Sequence, residues 1–178
     1  MYMETLRISS TEFKKIILKK FEGKIFHITN EKNYKKILES NAILATNFIK
    51  NQNVIWGSEL NQSYFRSKNC VSVCDLFHNN DNKLIFEAMD KYSFYSPNAV
   101  VKEGIAYYLI LNKNIYEQCI SWKLLDKKEV CGYQIVPNLE SGISDRILLS
   151  DITHAIKVIT NEKSIIEIEK DYTDLLKE

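Results

Sequence analysis

A few places in this chain put chemically capable side chains close together. The apolar segment FHIT carries His27 and Thr29, two hydrogen-bonding side chains one residue apart. Tyr64, Phe65 and Arg66 set two rings beside a guanidinium, whose planar fork suits phosphate oxygens. Glu140 stands between YQIVP and SGISDRILLSDI, with Glu129 and Asp145 as rival carboxylates. Each has a plain alternative. His27 is equally a strand-end histidine, Thr29 a helix-entry residue and Arg66 a solvated helix end, and Glu140 reads also as an exposed loop residue. Cys70 and Cys74 share parity, so on a strand they point to one side. They read as small core hydrophobes, with a metal or redox role as the alternative. The chain has no Gly-rich phosphate loop, no HExxH, no CxxC pair and no serine nucleophile elbow. His27, His78 and His154 are far apart, and no metal-ligand set is read from the spacing.

The elements that must position these residues follow from periodicity. Ser9 and Glu12 have capping-box spacing, and Phe13, Ile16, Ile17 and Phe21 recur on one face, which predicts a helix over 10–21. Residues 24–28 predict a strand. Asn30 caps a second helix with Tyr34, Ile37 and Leu38 inward, and 42–46 continue as a short extended piece. Residues 57–67 are ambiguous, with a short helix ending near Tyr64 and Phe65. CVSVC (70–74) alternates as a strand, and 82–91 form a helix with Leu84, Ile85, Ala88 and Met89 inward. GIAYYLIL (104–111) is an almost unbroken apolar run and predicts a central strand, with Tyr107 and Tyr108 facing opposite sides. Further strands are expected at 133–137, 146–149 and 155–160, and a closing helix at 163–177. Strict βαβ alternation is missing. The expected class is α+β, a compact single domain over 1–178 with split small sheets flanked by helices.

Composition narrows the function classes. With 45% hydrophobic and 26% charged residues the chain is globular rather than disordered. Its net charge of +1 gives no global pull toward nucleic acid or membrane surfaces. Lys14, Lys15, Lys19 and Lys20, with the many rings, offer a single-strand nucleic-acid surface, or simply the wet face of a helix. The start carries no signal-peptide pattern, and no run reaches the roughly 20 apolar residues of a membrane helix. The expectation is a cytoplasmic protein with reduced cysteines and no membrane partner.

The stretch FHITNEKNYKKILESNAILATN (26–47) resembles the opening of ADP-ribosyltransferase-fold proteins, including the DarT-type DNA-targeting toxins and abortive-infection proteins. Similarity is weaker over 64–76 and 133–160. The resemblance implies NAD as the substrate cofactor. It implies His27 and Thr29 on the ribose and nicotinamide, Tyr64 stacked on the nicotinamide and Arg66 on the pyrophosphate. It makes Glu140 the catalytic carboxylate. Cleavage of the nicotinamide–ribose bond passes through an oxocarbenium-like state that such a carboxylate stabilises. The Glu-x-Glu and Gln-x-Glu signatures of arginine-modifying relatives are missing, which puts protein arginine in doubt as the acceptor. A toxin or phage-defence effector modifying nucleic acid or protein is the implied role, with a neutralising antitoxin or defence partner. A non-catalytic binding module on the same fold is the alternative. A 2′-phosphotransferase-like RNA enzyme ranks third, because the arginines are only Arg7, Arg66 and Arg146.

Overall fold

The computed structural model describes residues 2–8, 16, 18–45, 63–79, 81–91, 105–133 and 135–159. Phe13, Ile17, Lys14, Lys15, residues 57–62, the side chain of Met89 and the helix expected over 163–177 lie outside them. The class is α+β, as expected: a seven-stranded mixed sheet, a two-stranded sheet and short helices in a single domain.

The centre of the large sheet is β5 (Ile105–Leu111), the GIAYYLIL segment. It lies antiparallel between β2 (Ile25–Thr29) and β9 (Ile152–Ile159), with β1 (Tyr2–Arg7) parallel to β9 at one edge. Beyond β2 come β4 (Cys70–Asp75), β7 (Glu140–Ser144) and β6 (Cys119–Ser121). The small sheet pairs β3 (Ala42–Leu44) with β8 (Arg146–Leu148).

Alternation along β5 divides the core into two layers. Ala106, Tyr108 and Ile110 join Phe21, Phe26, Ile85, Ala88 and Leu139 on one face. Tyr107, Leu109 and Leu111 join Ile25, Tyr34, Ile37, Ile43 and Ile147 on the other. Both β5 faces are covered, which explains why its sequence shows no polar alternation. Helix α1 (Glu31–Ser40) starts where Asn30 Oδ1 accepts from Asn33 N at 2.8 Å and ends at Asn41, with φ 56°. Its Tyr34 stacks on Tyr107 with ring centroids 4.1 Å apart. Leu38 is exposed, so the buried stripe is narrower than its spacing predicts. Helix α2 is Tyr64–Ser67, beginning rather than ending near Tyr64. Helix α3 (Asn82–Lys91) buries Ile85 and Ala88 but leaves Leu84 exposed.

Two strand assignments change. Residues 133 and 135–139 form no strand: Asn138 adopts φ 61°, and Glu140 N and Leu139 N both donate to Val136 O. The strand begins at Glu140 instead. It ends at Ser144, and Asp145, with φ 63°, turns the chain from β7 into β8 and so from one sheet to the other.

Gly142 fixes the position of α2. It lies opposite Ser72 in the β4–β7 ladder, and a Cβ there would collide with the Phe65 ring and stand 3.0 Å from Cys70 Cβ. Phe65 therefore sits directly on the strand, and Arg66 is delivered beside it. Gly142→Ala is expected to destabilise the fold by about 1–3 kcal/mol through overpacking. Denaturant unfolding measures this, and an unchanged midpoint would mean that Phe65 does not rest on Gly142.

Candidate functional site

The site grows from a break in the sheet. Strands β2 and β4 pair only at Ile25/Asp75 and Phe26/Cys74. Further on, residues through Thr29 stay with β5, while Cys70–Val73 stay with β7. The Ser72 carbonyl points toward the parted strand and needs a donor. His27 supplies it, with Nδ1 2.9 Å from Ser72 O. A carbonyl oxygen only accepts, so Nδ1 carries the proton and Nε2 of the neutral ring is left as an acceptor. Burial lowers the His27 pKa to about 4. The Ser72 bond opposes that shift, and the Arg66 charge adds to it.

The Ser72 hydroxyl faces the other way along this cluster. It donates to Glu140 Oε1 at 2.5 Å, and Glu140 Oε2 accepts from Val136 N at 2.9 Å. Glu140 pairs with Cys74, so Ser72 is its diagonal neighbour on the same sheet face. Burial pushes the Glu140 pKa up. The bonds from Ser72 and Val136 and the Arg66 charge hold it down in part. One guanidinium thus acts on both His27 and Glu140. His27, Ser72 and Arg66 are half-buried, while Glu140 is 6% exposed. The group offers a ring nitrogen that accepts, a hydroxyl, a cation and a buried carboxylate. Together these match a polar, anionic ligand carrying hydroxyls.

Of the residues expected at a site, His27 and Glu140 are both bonded to Ser72, His27 from the Val73 side through the carbonyl and Glu140 from the other face through the hydroxyl, and the Arg66 charge acts on both. Thr29 is buried at the far end of β2, paired with Tyr107. Tyr64 turns to the 125–135 segment instead, with its hydroxyl 3.4 Å from Glu129 Oε2 and its ring edge-on to Tyr133. Glu129 is thereby a packing partner of Tyr64. Asp145 is a corner residue that accepts from Asn69 Nδ2 at 2.7 Å. Tyr107 and Tyr108 face opposite layers, and both are core. Cys70 and Cys74 are buried, and neither forms a disulfide. Of the lysines expected on a helix over 10–21, Lys20 is held by Glu4 at 2.6 Å. Ser72 was not singled out by sequence reasoning. Its signal is a polar residue in the middle of an otherwise apolar strand.

A second polar cluster occupies the opposite face of the same two strands, since Ser72 and Asp75, and likewise Glu140 and Ser141, differ in parity. Asp75 is fully buried. Its Oδ1 accepts from Phe77 N and His78 N at 3.1 and 2.9 Å. Its Oδ2 is 2.8 Å from both His78 Nδ1 and Ser141 Oγ. Cys119 lies against this group, and burial with the Asp75 charge pushes its thiol up to about 12.

Comparison with protein-family models and with curated proteins finds no match for this chain. No helix among the described residues is long and apolar enough to cross a membrane.

Two outcomes test this geometry. The unfolded chain protonates His27 near pH 6.5, and the folded protein only near 4. Between those values the unfolded state binds the extra proton, so stability falls as pH falls through this window. His27→Asn keeps a donor for Ser72 but does not titrate. The wild type should lose of the order of 2–3 kcal/mol more than this variant between pH 6.5 and about 4. Parallel pH profiles of the two proteins would refute the buried neutral ring. For Glu140, glutamine can accept from Val136 N and donate to Ser72 Oγ, whereas alanine strands both. Glu140→Ala should therefore be less stable than Glu140→Gln by about 1–3 kcal/mol in denaturant unfolding. Equal stabilities would show that the carboxylate does not hold the turn at 136–140.

Proposed function

We propose that the split between β2 and β4 binds NAD⁺ and that the chain transfers ADP-ribose to a nucleic acid or protein acceptor. The carrying observation is Ser72, which joins His27 through its carbonyl and Glu140 through its hydroxyl while the Arg66 charge reaches both. In this reading His27 Nε2 accepts from a ribose hydroxyl, and Arg66 faces the pyrophosphate. The Glu140 carboxylate stabilises the ribosyl cation as the bond to nicotinamide breaks, and nicotinamide leaves with the bonding electron pair. The acceptor nucleophile then forms the new bond to the ribose carbon and releases its proton to solvent. Thr29 and Tyr64 have no part near Glu140 in this scheme, unlike the roles that the family resemblance implies. A toxin or phage-defence role in the cytoplasm, with a neutralising partner, goes with this reading.

The test is label transfer from labelled NAD⁺ to DNA, RNA or lysate protein. Wild type is expected to transfer label, and Glu140→Gln to slow transfer by at least about 100-fold with its fold intact. Folded wild type that neither binds nor consumes NAD⁺ with all three acceptors present would overturn the proposal. The alternative is a non-catalytic binding module, favoured by the two hydrogen bonds already made to the Glu140 carboxylate. A stable protein partner whose binding survives Glu140→Gln would support it.

A further inference from the structure

The Asp75 cluster lies on the sheet face opposite Ser72 and Glu140, and it is independent of the transferase reading. Among the described residues, Asp75, His78 and Cys119 each bring one ligand atom within 4.8 Å of the others. They come from three places in the chain: the last residue of β4, the turn after it and the first residue of β6. The ladders put Asp75 and Cys119 on one face of the sheet, that of Ser141. Ser141 pairs with Val73 on one side and Ser121 on the other, and Asp75 and Cys119, each two residues from its partner, share its side of the sheet. Ser141 Oγ holds Asp75 Oδ2 at 2.8 Å, and the turn amides of Phe77 and His78 hold Oδ1. The carboxylate is thus fixed in direction before any ion arrives. Lys123 Nζ donates to His78 O at 2.5 Å, tying the segment after β6 to the turn that carries the imidazole.

We propose that Asp75, His78 and Cys119 bind a zinc ion. The donor set is one carboxylate oxygen, one imidazole nitrogen and one sulfur. Sulfur and imidazole argue against magnesium and calcium, which take oxygen ligands, and suit zinc or a chemically similar transition ion. Three protein ligands leave the fourth tetrahedral position to water. The charges balance: Cys119 binds as thiolate and releases its proton to solvent, while the ion takes the place of the hydrogen bond between His78 Nδ1 and Asp75 Oδ2, so the imidazole stays neutral with its proton on Nε2. Thiolate and carboxylate together neutralise the dication. The His78 side chain is 30% exposed, which gives the ion a way in, whereas Asp75 and Cys119 are enclosed.

The experiment titrates the full chain, stripped with a chelator, with Co²⁺ and then with Zn²⁺ in competition. Wild type should bind about one cobalt per chain, with intense visible bands of tetrahedral cobalt and a thiolate-to-cobalt band in the near ultraviolet, all bleached by zinc. Cys119→Ser should lose the thiolate band. His78→Gln, at a partly exposed position and expected to fold, should lose tetrahedral binding. Cys131→Ser, which removes the exposed thiol, should leave the spectrum unchanged. Absence of tetrahedral cobalt bands in folded wild type would overturn the proposal. So would a thiolate band that survives Cys119→Ser, or one that is lost in Cys131→Ser.

Discussion

The carbonyl of Ser72 is the constraint on which the candidate site depends. A continued β2–β4 ladder would give that oxygen a backbone N–H. The ladder stops after Phe26 and Cys74, and the ring of His27 takes the place of the missing amide. A buried carbonyl left without a donor would cost roughly 1–3 kcal/mol. Capping it with a ring proton has a consequence for the ring itself: its tautomer is set and its second nitrogen becomes an acceptor, while burial, against the pull of the Ser72 bond, lowers its basicity. The opening in the sheet and the chemical character of His27 are therefore one event.

The neighbouring strands turn this local event into a layout. Strand β7 presents Glu140 and Gly142 to one face and Ser141 and Ile143 to the other. Strand β4 does the same with Ser72 and Cys74 against Val73 and Asp75. A glycine at 142 lets Phe65 press on the strand, and that contact sets where Arg66 stands. On the reverse face, Ser141 organises Asp75 as Ser72 organises Glu140. Two serines on adjacent strands, facing opposite ways, each orient a buried carboxylate. A register slip of one residue in β7 would exchange the two faces and dismantle both clusters.

Much of the frame was legible because apolar periodicity reports burial. Strand β5 shows no alternation because both its faces are covered, and CVSVC and FHIT read as strands for similar reasons. Asn30 announced its helix through its side chain. What stayed hidden lacks such a signal. Strand β1 is an exposed edge with a polar, mixed sequence. Strand β7, ESGIS, holds one β-branched apolar residue, so it reads as loop, and an exposed loop residue is the plain alternative for Glu140. The apolar YQIVP looked more like a strand, but a turn around Val136 and Asn138 takes its place. His27, Arg66 and Glu140 were legible as residue types, whereas the link from His27 to Glu140 through Ser72 needed the sheet to split. Tyr64 had the right neighbours in sequence, but Glu129 and Tyr133 hold it elsewhere. The Asp75–His78 spacing is visible in DLFH, yet Cys119 is supplied by another strand and no local spacing could reveal it.

Whether a carboxylate as well held as Glu140 can also serve a ligand is a matter of counting. An ionised carboxylate has about four lone-pair sites. Ser72 and Val136 use one on each oxygen. Those two bonds fill about half of the sites, so they do not by themselves exhaust the group. Burial works in both directions. It raises the energy of the free anion and pushes the pKa up, and it strengthens any interaction between that anion and positive charge developing beside it. The guanidinium of Arg66 opposes the first effect and favours the anion. A catalytic carboxylate needs its hydrogen bonds to fix its direction while its charge stays poorly solvated, and the contacts that tie Glu140 into the 136–140 turn meet both requirements. The same contacts would persist in a binding module, so catalysis depends on whether a ligand's ribose can reach the carboxylate through the gap beside His27.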